Sequence, residues 1–178
     1  MKIRSAMESD SIGIAHVLVE SWQRTYRGII SNDFLDSLSW KERSENWNEV
    51  LKSPLYFCFV AENESKEIVG FASGGKTREN LRFPRNYDSE LYAIYLLEPY
   101  QGKGLGSVLV LSLCEKLLEN QFQSMIVCVL TQNPFRSFYE KIGGLKVTES
   151  DITIGKVSYP TIIYGWQDLK TLIERLKR

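Results

Sequence analysis

Two periods of apolar and polar residues run along this chain, and each change of period marks an element boundary. Residues 2–7 read as a short strand anchored by Ile3. Ile12, Ala15, Val19 and Trp22 then recur at helical spacing with Leu18 beside them, and Ser9 or Asp10 stands where an N-cap is wanted. A second helical region over 31–52 carries Phe34, Leu35, Leu38, Trp40, Trp47, Val50 and Leu51, and Pro54 ends it. Residues 56–62 and 67–75, separated by a polar turn at 63–66, read as an antiparallel strand pair. Residues 78–88 are polar and irregular around Pro84, the longest loop and a place for specificity.

The second half is more regular. Residues 90–97 read as a central strand, and 104–119 as a helix with Leu105, Leu109, Leu113 and Leu117 in steps of four. Val108, Leu111 and Leu118 widen that stripe, so much of the helix is expected to be buried. Residues 125–130 are continuously apolar, which predicts a strand parallel to 90–97 and one βαβ crossover. Asn133-Pro134 reads as a helix start, with Asn as the cap and Pro in the first turn. Phe135, Phe138 and Ile142 would face the core, and Gly143-Gly144 would end that helix. Residues 145–154 and 157–166 predict a hairpin turning at Gly155-Lys156. Asp168 is placed to cap a last helix lined by Leu169, Leu172, Ile173 and Leu176. That stripe must cover either the sheet or a second subunit, so a homodimer is open. The pattern gives an α/β class with a mixed, twisted, mainly antiparallel sheet flanked by helices.

Size and charge narrow the field. A chain of 178 residues, 43% of them apolar, suggests one domain over 1–178, with a motif core at about 56–166. Lys+Arg and Asp+Glu both number 22, so the net charge is zero and bulk electrostatic capture of nucleic acid is not expected. No apolar run approaches the ~18 residues of a membrane span, and no leader-like stretch opens the chain. Cys58, Cys114 and Cys128 are far apart within apolar runs, so they read as thiols of a reducing cytoplasm, with neither disulfide nor zinc spacing. No metal is expected. The one histidine, His16, is distant in sequence from every cysteine, which disfavours a covalent acyl-cysteine route.

The candidate chemistry centres on Gln101-Gly102-Lys103-Gly104-Leu105-Gly106, between the central strand and the long helix. Glycines at a helix entry permit φ > 0 and let N–H groups approach a ligand, and the helix dipole favours an anion there. The spacing fits neither the P-loop nor the Gly-x-Gly-x-x-Gly dinucleotide turn. A plain structural turn is the competing reading.

Gln101-x-x-Gly104-x-Gly106 resembles the Arg/Gln-x-x-Gly-x-Gly/Ala motif of the GNAT superfamily of acyl-CoA-dependent N-acetyltransferases. The strand at 90–97 is similar to that family too, as is the downstream run from Asn133 through Phe138-Tyr139 to Gly143. The resemblance extends from residue 2 to about 166. One departure is Glu98 before Pro99, where the family often has Pro directly after the strand.

The resemblance implies acetyl transfer from acetyl-CoA to an amine by direct attack. Main-chain groups at 101–106, with Ser107, would hold the diphosphate. Ile94, Tyr95 and Leu96 would serve the acetyl and pantetheine portions through their backbone, and Asn133 would bond the pantetheine arm or cap its helix. Tyr139 falls at the family's general-acid tyrosine. An alkylammonium has a pKa near ~10.4, so deprotonating it at pH 7 costs ~4.6 kcal/mol. Glu90, at the start of the central strand, is the candidate base. Trp22 and Tyr26, four apart on one helix face, either close the core or wall the acceptor pocket. The expected acceptor is a small amine. A protein lysine or N-terminus, or a non-catalytic acyl-CoA sensor, are the alternatives.

Overall fold

The computed structural model describes residues 1–78 and 86–178, so most of the loop expected to carry specificity, 79–85, lies outside the described residues. The strands are β1 (Lys2–Ser5), β2 (Tyr56–Glu62), β3 (Ile68–Lys76), β4 (Ser89–Leu96), β5 (Met125–Leu130), β6 (Leu145–Ile154) and β7 (Val157–Trp166). The helices are α1 (Ser11–Thr25), α2 (Asn32–Asp36), α3 (Trp40–Val50), α4 (Leu105–Glu119), α5 (Ser137–Lys141) and α6 (Leu169–Leu176). The seven strands form one sheet in the order β1-β2-β3-β4-β5-β7-β6. Every pairing is antiparallel except β4 with β5, the one that spans the α4 crossover.

Both faces of the sheet's first half are covered, which is why its strands are so apolar. In β2, Phe57 and Ala61 join the core beneath α4 and α6, whereas Cys58 and Val60 join the core beneath α1 and α3. The alternation is the two-residue strand period, with an apolar layer waiting on each side. Leu109, Leu113 and Leu117 of α4 are fully buried, as their steps of four require. The apolar stripe of α6 packs on α4, so it is consumed inside the chain. The observation that had left a second subunit open therefore has an internal explanation.

Several boundaries differ from expectation. β1 ends at Ser5, two residues early. Ile12 is 53% exposed, and the buried face of α1 is instead set by Ile14, Ala15, Val17 and Val19. Asp10 does not cap α1 through its side chain. It accepts hydrogen bonds from the Arg4 guanidinium at 2.6 and 2.9 Å and from the Met7 N–H at 2.7 Å. The helical region expected over 31–52 is two helices, and Ser39 caps the second by accepting from the Glu42 N–H. Asn133-Pro134 does not start α5, which begins at Ser137. The intervening N–H groups of Arg136, Phe138 and Tyr139 bond three residues back, so this stretch is a tight turn that becomes helical late. Phe135 is accordingly exposed. Asp168 does cap α6, accepting from the N–H groups of Lys170 and Thr171.

Candidate active site

The site begins where two strands part. β4 and β5 pair over 89–91 and 125–127 only, although β4 runs on to Leu96 and β5 to Leu130. Against β3, the register of β4 skips at Tyr92: Ser73 faces Ala93 while Gly74 faces Leu91. Such a bulge bends its strand, and it stands at the point where β4 leaves β5. Gly74 allows the close approach, since a Cβ there would lie 2.5 Å from the Glu90 carbonyl oxygen. Beyond Leu91 the edge of β4 toward β5 has no strand partner among the described residues, and its backbone groups remain for a ligand.

The chain then turns into α4. Gln101 Nε2 donates to the Leu96 carbonyl at 2.8 Å, tying the turn to the end of β4. Gly102 and Gly104 have φ of +69° and +79°, the left-handed region where a side chain is strained. Gly104 is the N-cap of α4, and no side chain caps the helix. The first helical bond runs from the Val108 N–H to the Gly104 carbonyl at 3.2 Å. The N–H groups of Leu105, Gly106 and Ser107 precede it and so lack intrahelical partners. A helix N-terminus in that state attracts an anion.

Two clefts border the parted strands. The first, about 300 Å³, is walled by Ile94, Tyr95, Leu96, Gln101, Gly102, Gly104, Gly106, Ser107, Asn133 and Tyr139. Lys103 and Leu105, predicted with them, are not in its walls; the Lys103 Nζ lies 5.8 Å from the Tyr100 ring centre. The second, about 200 Å³, holds both predicted acceptor residues, Trp22 and Tyr26. Ile94, Tyr95, Asn133 and Tyr139 belong to both clefts.

A chain of polar contacts ties these walls together. Trp22 Nε1 donates to the Tyr95 hydroxyl at 2.9 Å, and Asn133 Nδ2 donates to the Tyr26 hydroxyl at 3.1 Å. The Asn133 Oδ1 accepts from the Phe135 N–H at 2.8 Å. Asn133 thus spends its side chain on shaping the turn and on Tyr26. Tyr139 is buried, edge-on to Phe138 and stacked 6.0 Å from Tyr164, and its hydroxyl has no hydrogen-bond partner among the described residues. Burial, with Tyr26 and Cys128 nearby, pushes its phenol well above the ordinary value, so it holds its proton.

Glu90 is placed differently. Its side chain is 0% exposed and it lines neither cleft. Both carboxylate oxygens are held by Arg78: Nη2 donates to Oε1, Nε to both oxygens, and the Arg78 backbone N–H to Oε2 at 3.1 Å. The pair raises the Arg78 pKa, keeping the guanidinium charged.

Sequence reasoning passed over several of the walls. Ser21 and Thr25 lie on α1 in the first cleft, each one residue before Trp22 and Tyr26 in the second. The helical step of four that singled out the aromatic pair applies equally to Ser21 and Thr25. Ser21 Oγ is buried and has no hydrogen-bond partner among the described residues. Arg78, Tyr92 and Cys128 line the second cleft. Burial pushes the Cys128 thiol up, away from a reactive thiolate. Among the described residues no group of three His, Cys, Asp or Glu is placed to hold a metal ion.

Comparison with known proteins agrees with this architecture. Residues 68–152 match the FR47-like protein family. The uncharacterized N-acetyltransferase YuaI of Bacillus subtilis (strain 168) is 40% identical over 176 residues, covering 99% of this chain and 98% of its own. A spermidine N(1)-acetyltransferase of Thermoplasma acidophilum is 29% identical over 159 residues, 85% of this chain and 91% of its own. Among solved structures, the PaiA N-acetyltransferase of Thermoplasma acidophilum in complex with coenzyme A superposes with a TM-score of 0.72 at 23% identity, over 92% of this chain and 96% of that one.

Proposed function

As this chain belongs to the GNAT superfamily of N-acetyltransferases, we propose that it moves an acetyl group from acetyl-CoA to the primary amine of a small molecule, by direct attack within a ternary complex. The observation that carries this reading is the first cleft. Its walls bring together the start of α4, the part of β4 that β5 does not pair, and Tyr139, whose hydroxyl has no hydrogen-bond partner among the described residues.

The residues fit the coenzyme. N–H groups at 105–107 supply a seat for its diphosphate. The free edge of β4 at 94–96 offers backbone partners to an extended, amide-bearing arm, as a sheet edge does to an added strand. The orphaned Ser21 Oγ is a further donor or acceptor in that wall. The coenzyme A bound by PaiA, which shares the fold, supports the assignment.

In the proposed step the amine nitrogen bonds to the thioester carbon and the carbon–sulfur bond breaks. Tyr139 gives its proton to the departing sulfur, a thiol of ordinary pKa near ~8.5 once protonated, and the proton that the nitrogen sheds on becoming an amide restores the phenol. The proton of the acceptor ammonium leaves to water in the cleft; Glu90, sealed behind Arg78 and lining neither cleft, would act on it only through that pair. At about 200 Å³ the second cleft is smaller than an ordinary drug-sized pocket, which supports a small acceptor. So does the relative named for spermidine. The test is release of free coenzyme A thiol from acetyl-CoA across a panel of amines, with the acetylated product identified by mass. Acceptor-dependent release is expected. Coenzyme binding without turnover on any amine would replace this reading with that of an acyl-CoA sensor.

A further inference from the structure

The second cleft presents a guanidinium, its counter-charge buried behind it, where a polycation-binding pocket would want carboxylates. Arg78 lies in its wall, and the described residues of that wall include no Asp or Glu. The guanidinium sits over the Tyr92 ring, 5.2 Å from its centre. Only one edge of it is committed: Nε and Nη2 face Glu90, whereas Nη1 makes no hydrogen bond among the described residues. The Arg78 side chain is 46% exposed although its partner Glu90 is sealed. An arginine has five donors in a rigid fork, so a buried carboxylate on one edge leaves the other preorganised for a second carboxylate. Trp22, Tyr26 and Tyr92 give the wall aromatic surface, and Val127, Leu130, Ile152 and Ile154 give it aliphatic surface.

Building on the acetyl-transfer reading above, we propose that the acceptor is an amine that also bears a carboxylate, an amino-acid-like molecule whose carboxylate pairs with Arg78. Glu90 anchors the guanidinium from behind, Tyr92 holds it flat, and the acceptor carboxylate takes the free edge. The aromatic and aliphatic walls receive an apolar side chain. A polyamine entering the same cleft meets a guanidinium of its own sign.

The experiment compares acceptors that differ only in the carboxylate: L-phenylalanine against phenethylamine, L-tryptophan against tryptamine and L-methionine against 3-(methylthio)propylamine, with spermidine alongside. Initial rates of coenzyme A thiol release give kcat and KM for each. The carboxylated member of at least one pair is expected to have a kcat/KM roughly tenfold or more above its partner, the weight of one charge-assisted hydrogen bond. The difference should lie mainly in KM. In Arg78→Gln that ratio falls toward one. Because this change strands a buried carboxylate, the double variant Arg78→Gln/Glu90→Gln and the milder Arg78→Lys are measured beside it, with folding checked by circular dichroism. Preference for spermidine or for the decarboxylated amines, or a carboxylate preference unchanged in all three variants, overturns the proposal while leaving acetyl transfer standing. Binding of coenzyme A with no turnover on any of these amines overturns both.

Discussion

Tyr139 is one of four residues common to both clefts, and its hydroxyl makes no hydrogen bond among the described residues. Tyr139→Phe should therefore leave the melting temperature unchanged while lowering kcat about 10²-fold or more, the usual weight of a positioned general acid. Burial disfavours the phenolate and raises the folded pKa above the ordinary ~10. The acid form then persists across the working range, and the pH–rate profile should show no falling limb below about pH 10. Glu90 is tested by how its loss divides. If it takes the ammonium proton, Glu90→Gln lowers kcat; if it only anchors Arg78, kcat holds and the acceptor KM rises. Asp10 gives a stability prediction. Its burial raises its pKa, but the bonds from Arg4 and the Met7 N–H outweigh that and hold it below the usual value. Stability from such a group is present above the unfolded pKa and lost as pH falls through the folded one. Because Arg4 keeps Glu62 as a partner, Asp10→Asn should cost about 1–2 kcal/mol in urea titrations at pH 7, and the difference should shrink below about pH 4.

At the scale of elements, α4 and its entry turn were legible because their signals are local: glycines for positive φ, then leucines in steps of four. The hairpin of β6 and β7 and the cap of α6 were legible for the same reason. What stayed hidden depends on distant partners. The late start of α5 follows from three-residue backbone bonds that Asn133-Pro134 does not announce. The bulge at Tyr92, which parts β4 from β5, is a matter of register against β3. The break between α2 and α3 was readable in principle, since Ser39 and Glu42 have capping-box spacing before Trp47. Glu90 was placed correctly in its strand, but its pairing to Arg78 across the bend could not be read from spacing. The element-level prediction concerns Gly104. Gly104→Ala at φ +79° should cost about 1–2 kcal/mol of stability. It should also disturb the N–H groups that α4 presents, so its loss of coenzyme affinity should exceed that of Ser21→Ala.

At the scale of the molecule, zero net charge leaves no global field to draw in an anionic coenzyme. Recognition must then come from local donors. Binding to the folded state alone should stabilise the chain by about 2.7 kcal/mol at a hundredfold excess over Kd, roughly 5–10 °C in melting temperature for a chain of this size. A dye-based melt with and without coenzyme A checks this, and an unchanged melting temperature at saturating coenzyme would count against it. The strand order was not read from the sequence, because long-range pairing leaves little trace in local pattern.

The most direct measurement is calorimetric titration of coenzyme A into the wild-type chain and into Gly104→Ala. Binding to a single site is predicted, weakened at least roughly tenfold in the variant, as expected where charge-assisted bonds to a diphosphate are lost. Equal affinity in the two proteins, or no heat with wild type, would contradict the assignment of the α4 entry turn as the coenzyme's seat.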